Sequence, residues 1–159
     1  MADFYIKIDS DNKLIGLPEG KNALAANLPD HDFTNPPSGY VEMEMTAPPD
    51  ISFQPYKKFD TTTSSFTGES YDYIYDSSTN KAKQVWYTRD LTDAEKTAKQ
   101  NEIKDQWAKV GFGSWTWDET ICGFKPPVEE PSDSINKGGS KMYQWNEATQ
   151  KWDQVMANV

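Results

Sequence analysis

One short pattern recurs along this chain: an aromatic residue, a polar or β-branched residue, a second aromatic, then Asp or Asn. It stands at Tyr73-Ile74-Tyr75-Asp76, Trp115-Thr116-Trp117-Asp118 and Tyr143-Gln144-Trp145-Asn146, with an aliphatic counterpart at Ile6-Lys7-Ile8-Asp9. Residues two apart project from the same face of a strand. An Asp or Asn that follows can bond the backbone two residues on and so open a turn. Each copy therefore predicts a β-hairpin. In two of them the returning strand brings another indole, Trp86 or Trp152, and cross-strand aromatic pairs contribute roughly 0.2–1 kcal/mol each. The spacing between copies is irregular, so the chain is not a solenoid.

Composition decides what such hairpins can pack against. Only 26 of the 159 residues are Ile, Leu, Val or Phe, about 16% and a level at which disorder enters. Six Trp and eight Tyr make up the shortfall, each able to bury about 150–250 Å² while keeping a polar tip. Small aromatic clusters, completed by a partner, are expected in place of one aliphatic core. No apolar run approaches the roughly 18 residues of a membrane span. No alternation of aliphatic strands and helices suggests a doubly wound enzyme. The net charge is −9, and its only adjacent cations are Lys57 and Lys58. Neither nucleic acid nor an anionic membrane is therefore expected as a partner.

Alternation at Phe4, Ile6 and Ile8, and at Val41, Met43 and Met45, predicts two further strands, each with one wet face. Between them, Leu17-Pro18-Glu19-Gly20 and the run from Leu28 to Pro37 predict a loop held by contacts, because repeated Pro opposes a central strand or long helix. Thr92-Asp93-Ala94-Glu95 has the form of a capping box and opens an amphipathic helix at 92–110, stopped by Gly111. Ile103, Trp107 and Val110 form its apolar end, so the C-terminal half is expected to be buried and the first two turns wet. Three Pro between Phe124 and Asp133, then Gly138-Gly139, predict an extended spacer at 125–140 leading to a C-terminal hairpin. The fold class is thus mainly β (α+β), with short antiparallel hairpins joined by Pro-rich loops. Its plan is an N-terminal β/loop region at 1–68, a hairpin–helix–hairpin region at 69–124, the spacer, and a hairpin at 141–159. That hairpin buries too little to stand alone.

The residues that carry chemistry are sparse. His31, flanked by Asp30 and Asp32, is the only histidine and reads as a loop residue. Asp9-Ser10-Asp11 opens like a calcium loop but meets Lys13 and lacks the later acidic ligand, so it reads as a turn. Gly111-Phe112-Gly113-Ser114 fits neither a phosphate loop nor a nucleophile elbow. Cys122 has no basic neighbour to activate it, and a lone cysteine, with no secretory signal at Met1-Ala2-Asp3-Phe4, fits cytoplasmic synthesis. No catalytic, cofactor or metal residue is assigned. Tyr and Trp favour protein interfaces, which makes Tyr73, Tyr75, Trp86, Trp107, Trp115, Trp117, Tyr143, Trp145 and Trp152 the interface candidates. Exposed indoles at Trp115 and Trp117 also leave open a host glycan as a ligand.

Trp86-Tyr87-Thr88-Arg89-Asp90-Leu91-Thr92-Asp93-Ala94-Glu95-Lys96, then Gly113-Ser114-Trp115-Thr116-Trp117-Asp118-Glu119, Cys122-Gly123-Phe124-Lys125-Pro126-Pro127-Val128, and Tyr143-Gln144-Trp145-Asn146-Glu147 through Trp152 together resemble small virion structural proteins of tailed bacteriophages, of the type found in marine cyanobacterial phages. Residues 1–68 resemble, more loosely, the front strands of tail-fibre-associated proteins. The resemblance implies a non-enzymatic component of the virion, made in the host cytoplasm, bound to other virion proteins in a symmetric assembly and associated with tail, fibre or neck. Capsid decoration, fibre-assembly chaperoning and receptor or glycan binding are the alternatives.

Overall fold

A computed structural model describes residues 2–156. Met1 and the last three positions of the hairpin expected at 141–159 lie outside the described residues. In chain order the elements are β1 (Phe4–Ile8), β2 (Leu14–Gly20), α1 (Lys21–Asn27), β3 (Tyr40–Glu44), β4 (Lys57–Phe59), β5 (Tyr71–Asp76), β6 (Lys81–Trp86), β7 (Thr88–Asp90), α2 (Asp93–Val110), β8 (Thr116–Asp118), β9 (Gly123–Lys125), a 3-10 turn (Ile135–Lys137), β10 (Met142–Asn146) and β11 (Lys151–Val155). The fold is mainly β, of the α+β class.

The recurrent pattern forms hairpins at all four sites: β1–β2, β5–β6, β8–β9 and β10–β11 pair antiparallel. Asp9 Oδ1 accepts from the amides of Asp11 and Lys13, Asp76 from Ser78 and Asp118 from Thr120, all within 2.8–2.9 Å. Asn146 accepts from Thr149 at 3.2 Å. Each turn then closes on a residue with positive φ, namely Asn12, Asn80, Cys122 and Gln150. Asn tolerates that left-handed region through its short polar side chain, whereas Cys and Gln enter it only where the turn demands.

The chain divides into two compact units, Met1–Asp50 with Lys57–Arg89 and Ile51–Tyr56 with Asp90–Val159. Gly68, read from sequence as a soft boundary, lies inside the first. The reason is non-local: β6 pairs parallel with β3 through Glu42↔Lys81, Met43↔Ala82 and Glu44↔Lys83, which fuses the β5–β6 hairpin to the front strands. Their sheet runs β2-β1-β3-β6-β5, so it is mixed and not purely antiparallel. One face buries Ile6, Val41, Met43 and Ala82, with Ile8, Leu14, Tyr73 and Tyr75 packed against them. The other face of β1 is not wet, as alternation had suggested, because Tyr5 is buried with Leu24 of α1 and Phe33 of the following loop. Burial, with Glu42 and Asp3 nearby, pushes the Tyr5 hydroxyl up from its ordinary value. Leu17–Gly20, expected as loop, instead completes β2, and α1 follows it, whereas the run from Leu28 to Pro37 is a loop, as its prolines predict. Pro18 is accommodated because β2 is an edge strand, where a missing amide costs no ladder bond.

In the second unit, α2 begins as its sequence predicts. Thr92 Oγ1 accepts from the Glu95 amide at 3.2 Å, the Glu95 carboxylate accepts from the Thr92 amide at 2.9 Å, and Gly111 ends the helix at φ +82°. Its burial meets the expectation only in part. Ile103 and Trp107 are half-buried, but no residue of α2 is fully buried and Val110 is exposed, and the first half, expected to be wet, docks through polar groups on segment 51–56. Lys99 Nζ donates to the Pro55 carbonyl, Gln100 Nε2 donates to the Tyr56 hydroxyl at 3.1 Å, and Lys96 lies 4.5 Å from the Tyr56 ring centre. Lys and Gln carry apolar stems that cover surface while their heads stay bonded, so a hydrophobic stripe underestimates how this helix is held.

Segment 125–140 is not an extended spacer. Trp152 Nε1 donates to the Val128 carbonyl at 2.9 Å, and Lys137 Nζ pairs with Glu129 at 2.7 Å. Ser134 is fully buried, its hydroxyl donating to Glu130 and accepting from the Asn136 amide. A Cβ on Gly139 would lie 2.1 Å from the Asp133 carbonyl oxygen, so only glycine permits this close approach. Three prolines set extended geometry locally, but the Ser, Asn, Asp and Gly residues that follow supply side-chain bonds and tight backbone contacts that fold the segment back.

Candidate interaction surfaces

The nine aromatic side chains singled out from sequence divide between the units, and most of them join one of two ring clusters, one in each unit. In the first unit Tyr73, Tyr75 and Trp86 are half-buried on the β5–β6 hairpin. Tyr71 meets Trp86 across the strands, with ring centres 5.1 Å apart and planes inclined at 61°. Trp86 Nε1 donates to the Thr46 carbonyl at 3.0 Å, and burial, with a hydrogen bond from Tyr73 to Tyr71, raises the Tyr73 hydroxyl to about 12. Asp72 anchors the neighbouring loop. Partial burial pushes its carboxyl up, but hydrogen bonds from Ser65, Ser64 and Tyr87 outweigh that and hold it below the ordinary carboxylate range.

The second cluster joins all three structural pieces of its unit. Trp115, just before β8, lies 4.8 Å from Trp107 of α2, 5.9 Å from Phe112, 5.8 Å from Trp145 and 6.0 Å from Trp152 between ring centres. Trp107 stacks on Phe124 at 5.1 Å and 9°, Trp117 meets Phe124 edge-on, and Trp145 pairs with Trp152 at 5.4 Å across β10–β11. Edge-to-face and offset geometries of this kind are worth about 0.5–1.5 kcal/mol per pair beyond burial. The indole nitrogens are mostly satisfied, Trp145 Nε1 by Glu147 at 2.8 Å and Trp117 Nε1 by Glu119 at 3.1 Å. Trp115 Nε1 is buried without a partner. Tyr143 stands at the edge of the hairpin and donates to Asp133 at 2.8 Å.

Two carboxylates tie this cluster together. Glu119 accepts from Trp117, from Lys96 at 3.0 Å and from Gln100 at 2.7 Å, and these donors hold its carboxyl at about 2. Glu147 accepts from Trp145 and from both the amide and hydroxyl of Ser114 at 2.7 Å, which holds it below the ordinary range. The C-terminal hairpin is therefore seated on its own unit.

Most of the ring area goes to internal packing, although Trp115 and Trp152 remain half-buried and border a groove, and the large apolar side chains left exposed are chiefly aliphatic. Leu17 and Ile15 on β2 are 66% and 47% exposed, Ile74 on β5 is 42% exposed, and Phe53 in segment 51–56 is 93% exposed. β2 and β5 are the two edges of the five-stranded sheet, which curls until they approach each other. Between them lies a groove of about 440 Å³ whose apolar lining includes Ile6, Leu14, Phe66, Tyr73 and Tyr75. Sequence reading passed over these positions. Ile74 is the middle residue of an aromatic triplet and points away from Tyr73 and Tyr75, a signal available from alternation, whereas Leu17 sat beside Pro18 in a stretch read as loop.

The remaining polar candidates lie in loops and turns. His31 Nε2 lies 2.7 Å from the Asn35 carbonyl and its ring meets Phe33 edge-on. Cys122 is buried in the β8–β9 turn. Among the described residues no three His, Cys, Asp or Glu side chains gather as a metal-ligating group, and no helix is long and apolar enough to cross a membrane. Comparison with protein-family models, with curated proteins and with solved structures finds no match for this chain.

Proposed function

We propose that the chain is a non-enzymatic structural protein of a tailed-bacteriophage particle, attached at tail, fibre or neck, and that it works by binding neighbouring subunits. The observation that carries this reading is the curled sheet of the first unit, whose edge strands β2 and β5 present Leu17, Ile15 and Ile74 beside a groove of mixed lining, with Leu14, Phe66 and Tyr73 next to Asn12, Lys13 and Ser65. Sheet edges hold backbone donors and acceptors that a neighbouring extended segment can pair with, and exposed aliphatic side chains there supply the burial such pairing needs. An extended segment of another virion subunit is the occupant. The order of helix, Trp-rich hairpin, Pro-Pro segment and Tyr-x-Trp-Asn-Glu hairpin adds the resemblance to small virion proteins.

Quantitative mass spectrometry of purified particles tests the reading, together with a map that locates the chain. Copies in the single digits to tens at tail, fibre or neck are expected, copies in the hundreds place it on the capsid as a decoration protein, and absence from particles ends the proposal in both forms. Leu17→Asp should leave the chain folded and prevent its incorporation.

A further inference from the structure

We infer that the second unit carries a binding site for a neutral oligosaccharide, in a groove of about 690 Å³ bordered by Trp115 and Trp152 together with Pro126 and Pro127. The apolar part of this lining is flat and rigid: two indoles that cannot turn without breaking the ring cluster, and two pyrrolidine rings. The C–H faces of a pyranose carry partial positive charge and suit the negative face of an aromatic ring. The rim is polar and formally neutral, because Lys125 and Lys137 oppose Glu129 and Glu130. A ligand with a net charge gains nothing from that balance, and an anionic one also meets a chain of net charge −9. A purely apolar ligand would leave four charged groups to be desolvated. A neutral polyol with apolar faces uses both parts, stacking on the rings while its hydroxyls donate to carboxylates and accept from ammonium groups.

The rim has room to respond. The Glu129 side chain is 88% exposed and its hydrogen bond runs to Lys137, itself 33% exposed. Glu130 is more committed, accepting from Ser134 and Asn136, and Lys125 pairs with Asp118. Lys137 also donates to the Glu130 carbonyl at 2.6 Å, so Glu129 is the group that turns toward a ligand, on a base fixed by the Trp152–Val128 hydrogen bond. This site lies wholly within the second unit, whereas the assembly reading rests on the first.

The test uses the full-length chain, titrated to millimolar concentration with maltohexaose, cellohexaose and chitohexaose, and in parallel with sialyllactose and decaproline. Indole emission and isothermal calorimetry report binding. At least one neutral hexasaccharide should give a saturable change. Glu129→Ala should weaken it about fivefold or more, as the loss of one charged hydrogen bond requires, with amide spectra unchanged. Trp152→Phe should weaken it further, and Leu17→Asp should leave it intact. The inference is overturned if no neutral hexasaccharide binds, if Glu129→Ala binds as tightly as the parent, or if sialyllactose or decaproline binds in preference, the last identifying a peptide groove.

Discussion

The two units solve the shortage of aliphatic residues in different ways. The first buries Tyr5, Ile6, Leu24, Phe33, Val41, Met43 and Ala82 on the two faces of one sheet, while the second fully buries only Cys122 and Trp145 among its described apolar residues. What the second has instead is a stack of seven half-buried or buried rings, stapled by Glu119, Glu147 and Asp133. Burial is non-directional and tolerates small shifts. Ring packing and hydrogen bonds to carboxylates are directional, so the second unit concentrates its stability in fewer side chains and exposes it to pH.

The contrast is tested most severely at Trp115, the ring that meets four others. Trp115→Ala should cost about 3–5 kcal/mol, with loss of near-ultraviolet circular dichroism and of amide protection in β8–β11. If protection there survives, the cluster is not the core of that unit. Ile6→Ala is the matching cut in the first unit, about 2–5 kcal/mol, and should remove amide protection in β1 and β3. Acid sharpens the comparison. The Glu119 carboxyl stands at about 2 against an ordinary 4.5, and a depressed carboxylate stabilises the fold fully above the higher value and loses that contribution as pH falls toward the lower. Glu147, Asp133 and Glu129 shift in the same direction. Between pH 4.5 and 2 the second unit should therefore loosen first, seen as a red shift of indole emission while β1 and β3 amides stay protected; simultaneous loss would contradict it. In the first unit Asp60 is also held at about 2, by the hydroxyls of Thr62 and Thr63, and Asp72 and Asp76 of β5 lie below the ordinary range, but these carboxylates fasten a loop and a turn at one edge of the sheet and not β1 or β3. The smallest effect is expected from Thr92→Ala, about 1 kcal/mol, measured by chemical denaturation and confined to α2.

The hairpins were legible because their signals are local. An Asp or Asn after an aromatic pair acts on amides two or three residues away, and the capping box of Thr92 and Glu95 spans one helical turn. The first unit's sheet was not, because β3 and β6 pair across some forty intervening residues and neither strand carries a mark of its partner. Tyr5 illustrates the same limit: alternation puts it on the face opposite Ile6, but only α1 and Phe33, distant in sequence, make that face a second core. The first half of α2 was not legible because Lys96, Lys99 and Gln100, polar by type, make its contacts with Pro55 and Tyr56. The spacer misled by its prolines, which hid the buried Ser134 and the close approach at Gly139. As for interaction surfaces, the rings drew notice for their size, yet internal packing claims most of their area and leaves Leu17 and Ile74 outside.

The second unit begins with Ile51–Tyr56, before the first has been completed by Lys57–Arg89. No single cut in the gene separates the two whole: a break before Asp90 leaves α2 without the Pro55 carbonyl and the Tyr56 hydroxyl that seat it. During synthesis those six residues emerge well ahead of the helix they serve. Exchange of either unit by one recombination event would therefore damage the other.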